Sequence, residues 1–331
     1  MATNYLYGTI LTGEAVAANN RGDNIGNTTT LQKVFHQDDL HTSVSAEAIR
    51  FALRYRFQLE NLNINRSYDP EAGRLDYEDE KRTKWNPAGD VFIDDDLMGF
   101  MDAAAAQAEK EDEEASAAEA PTIESDTPTK GAKKPKAKGK TTKRPSPLAI
   151  GRAVSLRPYR GELSFNAVSG EKVKGKLSLY NAEMHGTEYQ YSFGLNLDDV
   201  VRKENIGHLV DSIIDPPPVA GNHARFAYDF SPASIVLRVT NAHSSKIQNC
   251  FEHDEASRSY TVERLIRRIE SGDVPADELI VGGELAATSE GARLKELGAK
   301  VVDGVKAAAD EARRRIAGKG ADFASVMRNG G

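Results

Sequence analysis

The residues best suited to chemistry in this chain are arginines and lysines set among small amides. In SVSAEAIRFALRYR, Arg50 and Arg54 stand four apart and so share one face of a helix. Two aligned guanidiniums hold successive phosphates well, because each offers a planar fork of donors. A solvated helix face paired with Glu47 or Glu60 would use the same residues. A second concentration lies in GRAVSLRPYRGELSFNAVSGEKVKGK, where Arg152, Arg157, Arg160, Lys172, Lys174 and Lys176 outnumber Glu162 and Glu171. Tyr159, Phe165 and Val168 are interleaved with them. A cationic strip with stacking or wedging side chains is what a single-stranded backbone track needs. An ordinary hairpin with lysines guarding its exposed edge has the same composition. A third group follows the first strand, where Asn19, Asn20, Arg21, Asn24 and Asn27 precede three threonines. Small amides and hydroxyls suit phosphate and sugar contacts, and plain turns as well.

Catalytic templates are missing. No HExxH, no GxSxG and no strand-borne GxGxxG occurs. The seven histidines (His36, His41, His185, His208, His223, His243 and His253) are scattered without ligand spacing. Cys250 is the single cysteine, which excludes an internal disulfide framework and a cysteine-rich zinc site. GKTT imitates the end of a phosphate-binding loop, but Lys134 stands where the earlier glycine is required. No cofactor or metal is expected.

Elements that would position these residues follow from periodicity. Tyr5 to Thr12 reads as a short strand, followed by a long polar loop. SAEAIRFALRYRFQ reads as a helix with Ser45 as N-cap and Ile49, Ala52 and Leu53 on one face. KGKLSLYNAE and TEYQYSFGLNL read as two strands joined by a turn around His185 and Gly186; in the second, Tyr189, Tyr191, Phe193, Leu195 and Leu197 alternate with polar residues. Asp198 or Asp199 is expected to cap a helix that runs to about Ile214, where the DPPP run stops it. HARFAYDF and SIVLRVT supply one or two last strands, and VERLIRRIE and KELGAKVVDGVKAAADEARRRI are helical patterns. Strand, helix, two strands, helix, strand is the βαββαβ order of an α+β, ferredoxin-like or RRM-like fold.

Composition bounds the rest. The 331 residues are 39% hydrophobic and 28% charged, with net charge −7, enough apolar material for a core. An acidic balance argues against a protein that coats nucleic acid generically. No apolar run approaches a membrane span and the N-terminus lacks a signal-peptide pattern, so the chain reads as cytoplasmic. From Asp102 to Pro147 an acidic block gives way to a basic one with few large apolar residues, which predicts a disordered insertion.

These residues resemble a known family. TSVSAEAIRFALR is similar to the start of the first helix in repeat-associated CRISPR proteins, where it also follows a strand and a polar loop. AVSLRPYRGELSFN, YNAEMHGTEYQYSFGLNLDDV, SPASIVLRVTNAHSSKIQN and ELIVGGEL together resemble the DevR-type branch of the Cas-seven backbone subunit of the type I CRISPR Cascade effector, subtype I-B. The likeness covers residues 1–60 and 150–285. It implies a modified RRM palm with fingers and a β-hairpin thumb. Residues 1–61 would form the first half of the palm, 62–101 a fingers insertion, 102–148 a low-complexity linker, 149–185 the thumb, 186–285 the second half of the palm and 286–331 a helical tail. Copies of the subunit would stack along a guide RNA, which pairs with the target DNA strand, beside the large, Cas-five-type and guide-processing subunits. By position, Arg50 and Arg54 would face guide phosphates, Asn19 to Arg21 would line the same groove, and Arg157 to Lys176 would form the thumb with Phe165 or Val168 as wedge. The RNP1 motif of an RRM is absent, so Tyr189, Tyr191 and Phe193 are expected in the core. Two enzymatic alternatives come with the superfamily: metal-assisted RNA cleavage by a first-loop aspartate, here Asp23, and guide processing with His41 as base.

Overall fold

The computed structural model describes residues 4–19, 21–36, 38–101, 143–167, 179–221, 227–256 and 259–329. It is a mixed α+β structure built on a nine-stranded sheet. The strands are β1 (Tyr5–Thr12), β2 (Lys33–His36), β3 (Asp39–Val44), β4 (Leu148–Ile150), β5 (Ala153–Ser155), β6 (Tyr189–Asn196), β7 (Pro232–Thr240), β8 (Leu279–Gly283) and β9 (Lys300–Val302). Their order is β9-β8-β7-β1-β6-β5-β3-β2, with β4 also pairing β6. All pairs are antiparallel except β8 with β9.

Both faces of this sheet are covered. Leu6 and Ile10 of β1, the odd residues Tyr189 to Leu195 of β6, and Ile235 and Leu237 of β7 point into one core. Three helices close it: α1 (Ala46–Leu59), α3 (Glu204–Ile214) and α6 (Val305–Ala317). On the opposite face Leu11, Val236, Leu279 and Val281 pack with α4 (Glu263–Glu270) and α5 (Ser289–Glu296). The short α2 (Ile93–Met98) packs against α1 and α3. The Ser45 hydroxyl accepts the Ala48 N–H at 3.2 Å, so α1 starts where its sequence predicts. Ile49, Ala52, Leu53 and Phe57 form its buried stripe.

Gly8 shows how tightly β1 and β6 fit. A Cβ at Gly8 would lie 2.2 Å from the Phe193 ring opposite it, so only glycine fits this side of the strand.

Several expectations are corrected. The polar loop after β1 is strand-rich: Ala15–Ala17 pairs with His185–Thr187, and Arg21–Ile25 pairs with Thr28–Leu31. Leu179–Glu183 and Tyr189–Asn196 are not a hairpin. Leu179–Glu183 pairs instead with Leu163–Ala167 and with Thr28–Leu31, in a separate four-stranded sheet. Asp198 and Asp199 do not cap α3, which begins at Glu204; the Asp198 carboxylate accepts the Asn4 backbone N–H at 2.7 Å and Asp199 accepts from Asn196. Residues 227–231 form no strand, although Tyr228 and Phe230 are in the core.

Residues 143–148, assigned by composition to the linker, are ordered. Lys143–Arg144 pairs with Phe100–Met101, and Leu148 enters the central sheet. The stretch 148–155 likewise belongs to that sheet, whereas Leu163–Ala167 pairs with Leu179–Glu183 outside it. Past residue 286 the chain is integral to the fold: β9 extends the sheet, and Ala308, Ala309, Ala312 and Ile316 of α6 are buried in the main core.

Candidate nucleic-acid interface

Arg50 and Arg54 do share a helix face, but that face turns inward. Arg50 donates to the carbonyls of Met98 at 2.7 Å and Leu148 at 3.0 Å. Arg54 is only 9% exposed, with its Nε 3.4 Å from an Asp94 carboxylate oxygen. Burial, reinforced by the neighbouring Arg66 charge, lowers its pKa to about 10. The expected pair of phosphate-facing guanidiniums is therefore corrected to a pair of internal ties, whose partners are not Glu47 or Glu60. Glu60 pairs with Arg56 instead.

The ties converge on α2, whose consecutive residues Asp94, Asp95 and Asp96 are all buried. Asp94 accepts the Asn65 and Arg66 backbone N–H groups. Asp95 accepts from the Asn65 amide and lies 3.2 Å from Arg82. Asp96 pairs with Arg144 at 2.8 Å and accepts from Val201, Arg202 and Asn205. Burial, reinforced by the Asp94 charge, raises the Asp95 pKa to about 6 despite Arg82, so desolvation outweighs that ion pair. Arg54, Asn65–Arg66, Arg82, Arg144 and the stretch 201–205 are all fastened at this knot.

The basic strip divides. Arg157 is neutralised, bidentate to Glu14 at 2.7 Å and bonded to Glu188 at 3.0 Å. As a free phosphate ligand it is corrected. Arg152 is exposed and among the described residues reaches Gln32 and Ser43. Arg160 is exposed, and neither it nor Arg152 pairs with a carboxylate among the described residues. On the separate hairpin, Phe165 is 71% exposed and Leu163 shares its face. Val168, Lys172, Lys174 and Lys176 lie outside the described residues, as does Asn20. Arg21 and Asp23 lie in the strand Arg21–Ile25. Asn19 is buried, 1% exposed, and neither end of its amide has a hydrogen-bond partner among the described residues.

Three of the scattered histidines come together. The His36 and His41 rings meet edge to face at 5.4 Å. His41 Nδ1–H donates to the Ser155 carbonyl at 2.7 Å, and His185 Nδ1 shares a 2.8 Å bond with the Thr42 hydroxyl. Burial lowers both the His41 and the His185 pKa, the latter to about 4, so both rings are held neutral. Among the described residues no three His, Cys, Asp or Glu side chains are grouped to hold a metal. His41 is only 4% exposed, so little of its ring is open to a substrate.

Sequence reasoning missed a polar cavity of about 630 Å³ on the sheet face opposite α1. Where an RRM would expose aromatic residues, β1 and β6 present Thr9, Gln190 and Ser192. The loop 244–251 lies across them. The Thr9 hydroxyl donates to the Ile247 carbonyl at 2.7 Å, and the Asn249 N–H bonds the Ser192 hydroxyl at 3.2 Å. Lys246, Arg264 and Arg268 stand along the same cavity. Two signals were present in the sequence: the arginines of RLIRRIE and the polar SSKIQN run after a strand.

Residues 10–315 match the profile of a family described as "CRISPR-associated negative auto-regulator DevR/Csa2". A Myxococcus xanthus (strain DK1622) protein, "CRISPR-associated protein Cas7/Cst2/DevR", is 35% identical over 322 residues, 94% of this chain and 97% of its own. A solved chain of a "CRISPR RNA-guided surveillance complex, pre-nicking" superposes with TM-score 0.54 at 14% identity, spanning 93% of this chain and 100% of that one. A second, of a "CRISPR RNA-guided surveillance complex", gives 0.50 at 13% identity over 93% and 99%. These two likenesses establish the fold. The chain belongs to the DevR/Csa2 family of CRISPR-associated proteins, a subunit of the Cas7 type.

Proposed function

We propose that this chain is a non-catalytic backbone subunit that binds guide RNA, oligomerises along it and presents it for pairing with a target DNA strand. Family membership over residues 10–315 carries this reading. Within it, β1-α1-β5-β6-α3-β7, with sheet order β7-β1-β6-β5, is an RRM-like or ferredoxin-like palm. Residues 62–101 serve as fingers, and the hairpin 163–183 serves as the thumb with Phe165 as its wedge. Sequence would be read by base pairing, and the protein would read backbone and shape. Its site of action is the cytoplasm; no described helix is long and apolar enough to cross a membrane.

Single-stranded RNA binding measured against salt tests the interface. Arg152→Ala and Arg160→Ala each lower the salt slope by about 0.7, one phosphate contact on a single strand, while Arg157→Ala leaves it unchanged. Identical slopes in all three variants would sink the assignment. The scaffold reading also predicts that complementary RNA stays intact in the assembled complex with Mg²⁺. Cleavage at regular intervals, lost in Asp23→Ala, would make the chain a nuclease.

A further inference from the structure

We propose that the cavity beneath loop 244–251 binds one nucleotide of a single strand, with the phosphate held by Arg268 and Lys246 and the base edge by the side-chain amides of Gln248 and Asn249. The proposal rests on the nucleic-acid reading above and deepens it by assigning a site. A volume of about 630 Å³ lies within the usual range of small-molecule sites, roughly 300–1,000 Å³.

Two chemically different sets of groups line the cavity. In the cationic set Arg268 Nη1 donates to the Lys246 carbonyl at 2.5 Å, and Lys246 Nζ reaches the Asp273 carbonyl at 3.1 Å. Arg268 pairs with no carboxylate among the described residues, so the rest of its donor fork is available to an anion. Lys246 lies 3.7 Å from the Asp273 carboxylate, a loose contact that a phosphate could replace. In the amide set Asn249 is fixed over the sheet by its backbone bond to Ser192, and Gln190 is fixed by its bond to the Phe251 carbonyl at 2.9 Å. The side-chain amides of Asn249 and Gln248 are exposed and make no hydrogen bond among the described residues. Each offers a donor beside an acceptor, which complements the polar edge of a base.

The loop that carries these groups is strained. Lys246 and Asn249 hold φ of 54° and 48°, a left-handed conformation that costs a non-glycine residue free energy. The bonds from Thr9, Ser192 and Arg268 hold it there. Strain maintained at the rim of a polar cavity is what a preformed clamp requires.

The experiment titrates the purified full chain with CMP, AMP, GMP and UMP by calorimetry, beside inorganic phosphate, ribose 5-phosphate and a trinucleotide. The expected result is that nucleoside monophosphates bind about tenfold more tightly than ribose 5-phosphate, and that the trinucleotide binds at least as well as they do. Arg268→Ala and Lys246→Ala each weaken nucleotide binding about tenfold. Asn249→Asp, which keeps a residue tolerant of the left-handed backbone, removes the preference over ribose 5-phosphate. Equal affinity for inorganic phosphate and nucleotides would reduce the cavity to a plain anion site and overturn the proposal. Binding of free nucleotides without the trinucleotide would overturn the assignment to a strand. If guide RNA loads normally into variants at Arg268 and Asn249 and no mononucleotide binds, this inference falls while the backbone role stands. Nucleotide binding by a chain that never forms a guide-loaded particle would retain the site and remove the backbone role.

Discussion

Asp96 illustrates what single residues do in this chain. Its carboxylate is completely buried and serves Arg144, two backbone N–H groups and the Asn205 amide. Asp96→Ala takes the carboxylate from the part-buried Arg144 and leaves the Val201 and Arg202 N–H groups and the Asn205 amide without their acceptor, so unfolding by denaturant should show a loss of about 3–5 kcal/mol. Arg54→Ala likewise lowers stability while leaving the salt slope of RNA binding unchanged, because Arg54 faces Asp94 and not solvent. Acidity acts through opposed groups. The unfolded chain protonates His185 below its ordinary value of 6.5, whereas the folded chain resists until about 4, so its stabilising contribution is lost as pH falls across that window. Asp95 has the opposite sign: its carboxyl ionises near 6 when folded against 3.8 ordinarily, so its contribution is lost as pH rises through 6. Melting temperatures between about pH 4.5 and 7 should therefore vary little in the parent chain, and Asp95→Asn should expose a steeper acid loss. An unchanged profile in Asp95→Asn would contradict the assigned burial.

At the scale of elements, the close approach of β1 and β6 makes Gly8→Ala costly. The added methyl meets a buried Phe193 ring that cannot withdraw, and a loss of about 1–3 kcal/mol is expected in denaturant unfolding. Phe165→Ser, by contrast, alters an exposed side chain and should leave the melting temperature unchanged while weakening guide binding. Where local physics decides an element, the sequence was readable. Ser45 and the Ile49–Ala52–Leu53 stripe set α1, and the alternation from Tyr189 to Leu195 set β6 and put its aromatic side in the core. Long-range pairing was not readable. Leu179–Glu183 looked like the partner of β6 because it is adjacent in sequence, yet it pairs with Leu163–Ala167 and, in parallel, with Thr28–Leu31. The polar strands between residues 21 and 31 lack an apolar period because they belong to a small sheet apart from the central one. Arg50 and Arg54 had the right spacing, but no local signal tells that α2 docks against that face with the Met98 carbonyl on Arg50 and the Asp94 carboxylate on Arg54. The cavity escaped notice for the same reason: its residues come from β6, loop 244–251 and α4, which are distant in sequence.

For the whole molecule, the pairing of Phe100–Met101 with Lys143–Arg144 brings the two ends of the low-complexity segment together. Replacing residues 103–141 by a short glycine-containing turn should therefore leave the melting temperature unchanged, since an antiparallel pair needs only a short connection. A large drop would mean that the segment contributes to the fold. The sheet, covered on one face by α1, α3 and α6 and on the other by α4 and α5, supplies a body that carries the strand pair 163–167 and 179–183 and the strand pair 66–69 and 74–77 outside that sheet. Such a body, repeated along a strand, is the central claim. The most direct measurement is native mass together with the 260/280 nm absorbance ratio, after co-expression with the remaining effector subunits and CRISPR arrays of two spacer lengths. The account predicts a nucleic-acid-containing particle that gains whole copies of this chain, 36.1 kDa each, with the longer guide. A particle free of nucleic acid, or one whose copy number ignores guide length, would contradict it.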